Sequence, residues 1–199
     1  MSTPRQAAYA IHPQFLERWS PRAFTGEAIR DDELFALFEA ARWAPSANNA
    51  QPWRFIYARK DAPSWPALFG LINEGNQRWA ANASALVVLV SRTSHRRPGA
   101  SEVTPLRSHS LDSGAAWASL ALQALHSGWS SHAIGGFDRE RARVELGVPD
   151  GYQVELAIAI GRRAAPESLA DDLRERELPN QRHPLSRLVA EGRFAFDEA

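Results

Sequence analysis

The sequence predicts an α+β fold in which helices stand apart from a small set of strands. Apolar residues at helical spacing gather in 31–41 and again in 113–127, while strand signals are confined to 55–57, 85–90 and 154–160. Regular βα alternation and a GxGxxG loop, the marks of a doubly wound nucleotide-binding fold, are both missing from the sequence. A chain of 199 residues is long enough for one domain with a real core, so a single domain over 1–199 is expected.

The first stretch with chemistry is Arg18-Trp19-Ser20-Pro21-Arg22. Two guanidiniums and a hydroxyl within five residues suit an anion, because arginine forks match phosphate oxygens. On its own the stretch is more simply a solvated basic turn. Asp31 then stands where it would cap a helix whose apolar face carries Leu34, Phe35, Leu37, Phe38 and Ala41, and Pro45 ends it. The next eight residues, Ser46-Ala47-Asn48-Asn49-Ala50-Gln51-Pro52-Trp53, concentrate amides and a hydroxyl beside an indole. Taken alone, this stretch reads equally as a ligand-holding loop and as a capping loop at a subunit seam.

Phe55-Ile56-Tyr57 is a short strand, and the continuous apolar run Ala85–Val90 has the character of a strand buried on both faces. Two short helices are expected between them, at 65–71 and 77–83. The stretch 93–108, rich in turn formers and charge, is expected to be a loop. Asp112 precedes a helix of small and apolar residues that ends at Gly128, a residue suited to the left-handed C-terminal cap. Asp138 caps a further helix closed by Gly147 and Pro149, and the strand 154–160 ends at Gly161.

Composition narrows the partners. Lys plus Arg and Asp plus Glu both number 23, so no overall field favours nucleic acid or an anionic membrane. The longest apolar stretch, 115–125, is interrupted by Ser119 and Gln123 and is far shorter than the roughly 18 residues of a membrane span. The N-terminus lacks a sustained apolar segment, so no signal peptide is expected. With no cysteine, disulfides, thiolate metal sites and cysteine nucleophiles are excluded, and a soluble, cytoplasmic protein is expected. His109 with Ser110 and Asp112 suggests a hydrolase triad, and His126 with His132 a metal pair. Neither is accompanied by a GxSxG elbow or an HExxH helix, and no metal is expected.

Taken together, "RWSPRAF", "EAARWAPSANNAQPWRF", "GNQRW", "IGGFD" and "ELAIAIGR", in that order, resemble the nitroreductase family of FMN-dependent oxidoreductases. The resemblance runs from about Arg18 to Arg182. It implies a central antiparallel-rich mixed sheet flanked by helices, in a homodimer with FMN at the subunit interface. The tail, about 163–199, would pack on the partner subunit.

By this resemblance Arg18 and Ser20 would meet the FMN phosphate, with Arg182 closing on it, Trp19 would also be a cofactor-binding residue, and Arg22 would reach the ribityl and pyrimidine edge. Pro45, Ser46, Ala47, Asn49 and Gln51 would be contributed across the dimer. Asn76 would sit at the pyrimidine edge, and Gly135 and Gly136 would face flavin N5. A cation beside N1 and O2 favours the reduced flavin, and a glycine permits close approach at N5.

The implied activity is hydride transfer from NADH or NADPH through the flavin to a small electron acceptor such as a nitroaromatic, quinone or enone. The same resemblance also covers flavin fragmentation, reductive dehalogenation and FMN binding without turnover. Trp79 stands where some relatives carry a lysine, with Arg78 a neighbouring substitute for that cation. Trp79 and His109 are expected at the substrate pocket.

Overall fold

A computed structural model describes residues 5–97, 99 and 101–196. The ends of the expected domain (1–4 and 197–199) and positions 98 and 100 of the expected loop lie outside the described residues. The helices are α1 (Gln14–Glu17), α2 (Asp31–Arg42), α3 (Trp65–Phe69), α4 (Glu74–Ala80), α5 (His109–His126), α6 (Arg139–Glu145) and α7 (Asp171–Arg174). The strands are β1 (Trp53–Arg59), β2 (Ala85–Arg92), β3 (Ser94–Arg96), β4 (Val103–Pro105), β5 (Ser130–Ile134) and β6 (Tyr152–Gly161).

Four strands form one sheet in the order β1-β2-β6-β5, and every ladder in it is antiparallel. The parallel component of the expected mixed sheet is not present among the described residues. β2 is central, and its alternate residues serve two cores, which explains its unbroken apolar sequence. Ala85, Val87 and Leu89 face α2 and α5 with Trp129 and Ile158, whereas Leu86, Val88 and Val90 face the layer of Trp79, Phe137 and Ala142. Val87 and Leu89 are fully buried.

Five further expectations are corrected by the structure. The α2 N-cap is Arg30, in extended conformation, and the Glu33 carboxylate accepts from its backbone N–H at 3.3 Å. Asp31 is the first helical residue and pairs with Arg59 at 2.7 Å. Phe35 is half exposed, resting edge-on against Phe38 and Tyr57, because the buried stripe of α2 is Leu34, Leu37 and Ala41. The 93–108 stretch holds a short hairpin, β3 paired antiparallel with β4, which the turn formers and charges had masked.

The last two concern α5 and β5. α5 begins at His109, after Ser108, so Asp112 lies inside the first turn rather than before it. β5 gave no clear signal, since His132 and two serines dilute its apolar pattern. Gly128 has φ +74° and closes α5 as expected, and Asp138 caps α6 by accepting from the Arg141 N–H at 2.9 Å.

Two features aim the framework at the site. The β2–β6 register shifts between Leu89 and Val90, leaving Glu155 as the extra residue of a bulge. Arg139 takes up the carbonyl of Glu155 from two of its nitrogens (3.3 and 3.2 Å) and that of Gly135 from a third (3.3 Å). Among the described residues no helix is long and apolar enough to cross a membrane.

Candidate functional site, a cationic cleft

After α1 the chain turns extended at Arg18 (φ −67°, ψ 122°), and residues 23–25 dock on the chain beyond β6. The Thr25 N–H donates to Arg162 O at 3.0 Å, and the Ala164 N–H to Ala23 O at 2.9 Å. This anchored run is one wall of a cleft of about 430 Å³ lined by Arg18, Trp19, Ser20, Arg22 and His132, with Arg5 and Arg182 arriving from the two termini.

The cleft is rich in uncompensated cations. Arg5, Arg18 and Arg182 form no ion pair among the described residues, although Arg5 is tied down by carbonyls, from Nη1 to Arg18 O at 2.8 Å and from Nε to Asn180 O at 2.9 Å. Arg18 Nη1 is buried and has no hydrogen-bond partner there. Burial pushes the Arg18 pKa down and the neighbouring Arg182 adds to it, while Arg5 is lowered by burial, by Arg182 and by Arg18. Like charges gathered in this way, one with an orphaned donor, are stabilised by an anion.

Arg22 is held differently. The Glu177 carboxylate, 4 % exposed, accepts from the Arg22 N–H (2.8 and 3.0 Å) and the Ala23 N–H (2.9 Å), with the Arg22 guanidinium 3.9 Å away. Burial is the main influence lowering the Arg22 pKa, Arg176 adds to it and Glu177 opposes it. Glu177 thus stitches the tail onto the 18–23 segment, and the sequence offered only a carboxylate in a charged tail as a signal for it.

Beneath the cleft, α4 carries Asn76 and Trp79. The Asn76 amide donates to Gly136 O at 3.2 Å, and its oxygen accepts from Trp79 Nε1 at 3.2 Å, which leaves one amide hydrogen without a partner among the described residues. A Cβ on Gly136 would stand 2.7 Å from Asn76 Nδ2, so a side chain there would push this amide from its present place. Trp79 is 1 % exposed and is therefore not a wall of a substrate pocket. It orients Asn76 and stacks on His132 with ring centroids 4.5 Å apart. Arg78 does not stand in for the missing lysine, since Asp172 holds it through two contacts of 2.7 Å.

His132 is a site residue that sequence reasoning passed over as half of a metal pair. Its Nδ1 lies 2.9 Å from Pro21 O, and burial, with Arg22 and Arg18 nearby, lowers its pKa to about 4. His126 is engaged elsewhere, with Gln14 Oε1 at 2.7 Å, and no group of residues able to hold a metal occurs among the described residues. In the unfolded chain the imidazole titrates near 6.5, so the folded state binds fewer protons between about pH 6.5 and 4. Stability of the ligand-free protein should fall as pH drops through that window, by on the order of 3 kcal/mol from this residue. Urea midpoints of the parent and of His132→Phe across pH 4 to 7 should converge or cross towards acid, with no relative change above pH 6.5.

The remaining predicted residues lie apart from the cleft within one chain. Pro45, Ser46 and Ala47 border a second depression with Ser110, Leu111 and Asp112. Their loop is held in an uncommon shape, with Asn48, Asn49 and Gln51 all near φ +50° (52°, 51° and 47°). Ser46 Oγ accepts from the Gln51 N–H at 3.0 Å, and the buried Asp112 carboxylate accepts from the Ala47 N–H at 3.2 Å and from Ser108 Oγ at 3.0 Å. His109 is not on the cleft wall. Its Nδ1 is 2.7 Å from Ser91 Oγ and 3.3 Å from Glu155 Oε1, and Ser91 also bonds to Glu155. Ser110 Oγ lies 3.3 Å from the same His109 Nδ1 and donates to Glu155 Oε1 at 2.8 Å, but Asp112 is turned to Ser108 and Ala47, so the His109-Ser110-Asp112 hydrolase geometry does not form.

The helix-flanked antiparallel sheet carries, on one side, a cleft in which Arg5, Arg18 and Arg182 make no ion pair among the described residues. The chain belongs to the nitroreductase family, whose model matches residues 16–63 and 61–162. A putative NADH dehydrogenase/NAD(P)H nitroreductase of Streptomyces coelicolor is 30% identical over 182 residues, covering 82% of this chain and 88% of that protein. A solved structure described as an oxidoreductase containing FMN superposes with a TM-score of 0.94 at 45% identity, covering 99% of this chain and 100% of the other. A putative nitroreductase in complex with FMN from Desulfovibrio desulfuricans shares the fold, with a TM-score of 0.67 at 24% identity over 92% of this chain and 96% of the other.

Proposed function

We propose that this nitroreductase-family protein is an FMN-dependent oxidoreductase that passes hydride from NADH or NADPH to a small electrophilic acceptor of the nitroaromatic, quinone or enone type. The observation that carries the reading is the buried, unpartnered Arg18 Nη1 among cations without counter-ions, a donor set that fits a phosphate monoester. The family membership and the FMN-containing neighbour at 45% identity support FMN as the ester's source.

In this reading Arg18, Ser20 and Arg182 hold the phosphate, with Trp19 beside them, and Arg22 is set by Glu177 against the polar edge of the ring. Asn76 offers its remaining amide hydrogen, fixed in direction by Trp79 and Gly136. Gly135 and Gly136 let the backbone approach the ring closely, with Arg139 holding the Gly135 carbonyl. When bound, FMN supplies reversible two-electron chemistry, and the chain itself binds, orients and excludes water. The proposal assigns no role to a metal.

The assembly proposed is a homodimer. Pro45–Gln51, rigid but remote from the cleft of its own chain, would complete the partner's site. The segment 181–193 is exposed throughout, with Leu185, Leu188 and Val189 outward, which suits a tail lying on a second subunit. Sedimentation of the untagged protein should give twice the chain mass.

The first test is the visible absorption spectrum of the purified protein, followed by heat release and identification of the flavin. A yellow protein releasing about one FMN per chain, which then oxidises NADH or NADPH only when a quinone or nitroaromatic is present, is the expected result. A colourless protein that takes up no added FMN would overturn the proposal.

A further inference from the structure

His132 occupies a place in the cleft where the arginines cannot do the same work. Its Nδ1 contacts a backbone carbonyl, Pro21 O at 2.9 Å, and a carbonyl only accepts, so Nδ1 carries the proton. The neutral ring therefore has its lone pair on Nε2. Stacking on Trp79, with centroids 4.5 Å apart and planes 29° apart, fixes the ring plane. Trp79 is in turn fixed by Asn76. His132 lines the cleft beside Arg18 and Arg22, and Nε2 makes no hydrogen bond among the described residues. Of the other side chains on the wall that can accept, Glu175 and Asn180 are exposed, and the Ser20 hydroxyl also donates.

We infer that His132 Nε2 is a hydroxyl receptor: it accepts a hydrogen bond from a hydroxyl of the ribityl chain, so that the cleft recognises a phosphorylated polyol rather than a phosphate alone. This rests on the FMN reading above. The physical reason is complementarity of donors and acceptors. Guanidiniums offer only donors, which phosphate oxygens satisfy, whereas a polyol hydroxyl gains most from a site that also presents an acceptor. An orphaned, half-buried imidazole lone pair would meanwhile be left unsatisfied by an alkyl phosphate. His132 is here a specificity residue.

The test compares two flavins by fluorescence titration: FMN, and an analogue whose side chain is a phosphopentyl group without hydroxyls. For the parent protein FMN should bind more tightly. His132→Phe keeps a ring against Trp79 and removes Nε2. It should weaken FMN by about five- to tenfold and leave the phosphopentyl flavin within about twofold. His132→Asn, whose amide can still donate to Pro21 O but does not reach the Nε2 position, should behave as His132→Phe does. His132→Gln, which can place an amide oxygen near Nε2, should recover part of the loss.

Equal weakening of both flavins in His132→Phe and His132→Asn would mean a packing role and overturn the inference, as would no weakening of either. A parent protein that binds neither flavin would instead sink the FMN reading on which the inference stands.

Discussion

Replacing Arg18 by alanine is expected to weaken FMN binding by about 10- to 100-fold while leaving riboflavin binding little changed. A hydrogen bond to a charged group contributes about 1.5–3 kcal/mol, and Arg18 Nη1 has no competing partner to lose. The same substitution should not destabilise the ligand-free fold, because burial and Arg182 both disfavour the Arg18 charge. Flavin fluorescence titrations with the two ligands separate a phosphate contact from a general defect. Loss of riboflavin affinity in parallel with FMN would place Arg18 elsewhere on the ligand. Arg182→Ala should have a smaller effect of the same kind, since that side chain is exposed and its Nη1 already donates to Asn180 O and Gln181 O.

Glu177→Ala is expected to cost about 3 kcal/mol of stability and to loosen flavin binding as well. The carboxylate is the acceptor for the backbone N–H groups of Arg22 and Ala23, and it faces the Arg22 guanidinium. Without it these buried donors are left to water that cannot easily reach them. Urea unfolding should show a lower midpoint at unchanged slope, and Glu177→Gln should fall between the two, keeping one oxygen acceptor and losing the charge. A change below about 0.5 kcal/mol in Glu177→Ala would show that the tail is held by other contacts.

Both predictions depend on how the termini meet the body. Arg5 and Arg182 reach one cleft from opposite ends of the chain, and Asn180 O accepts from both of them. The pH response of His132 belongs to the same assembly, since burial in it lowers the pKa most, Arg22 and Arg18 add to that, and the hydrogen bond to Pro21 O opposes it.

Local patterning was enough for much of the framework. The unbroken apolar run of β2 announced a strand with two buried faces, and the small, apolar residues of α5 announced a central helix, because burial on both sides leaves no place for polar residues. Glycine at 128 and the Asp138 cap were legible for the same reason: each acts within a few residues of itself. Five separated motifs agreeing in order also carried the family, which the match over 16–63 and 61–162 bears out.

What the tertiary structure alone decided concerns contacts between residues far apart in the chain. Nothing local marks Glu177 as the acceptor for the N–H groups of Arg22 and Ala23, 155 and 154 residues away, or His132 as the partner of Pro21. Trp79 was expected at the substrate pocket because it stands where some relatives carry a lysine, yet helical geometry turns it under the cleft, where it orients Asn76 and supports His132. Arg78, one residue earlier, points outward to Asp172. Sequence determined which elements form and which chemistry is available. Long-range closure determined which cations stay without partners, and an unpartnered charge is what makes a binding site.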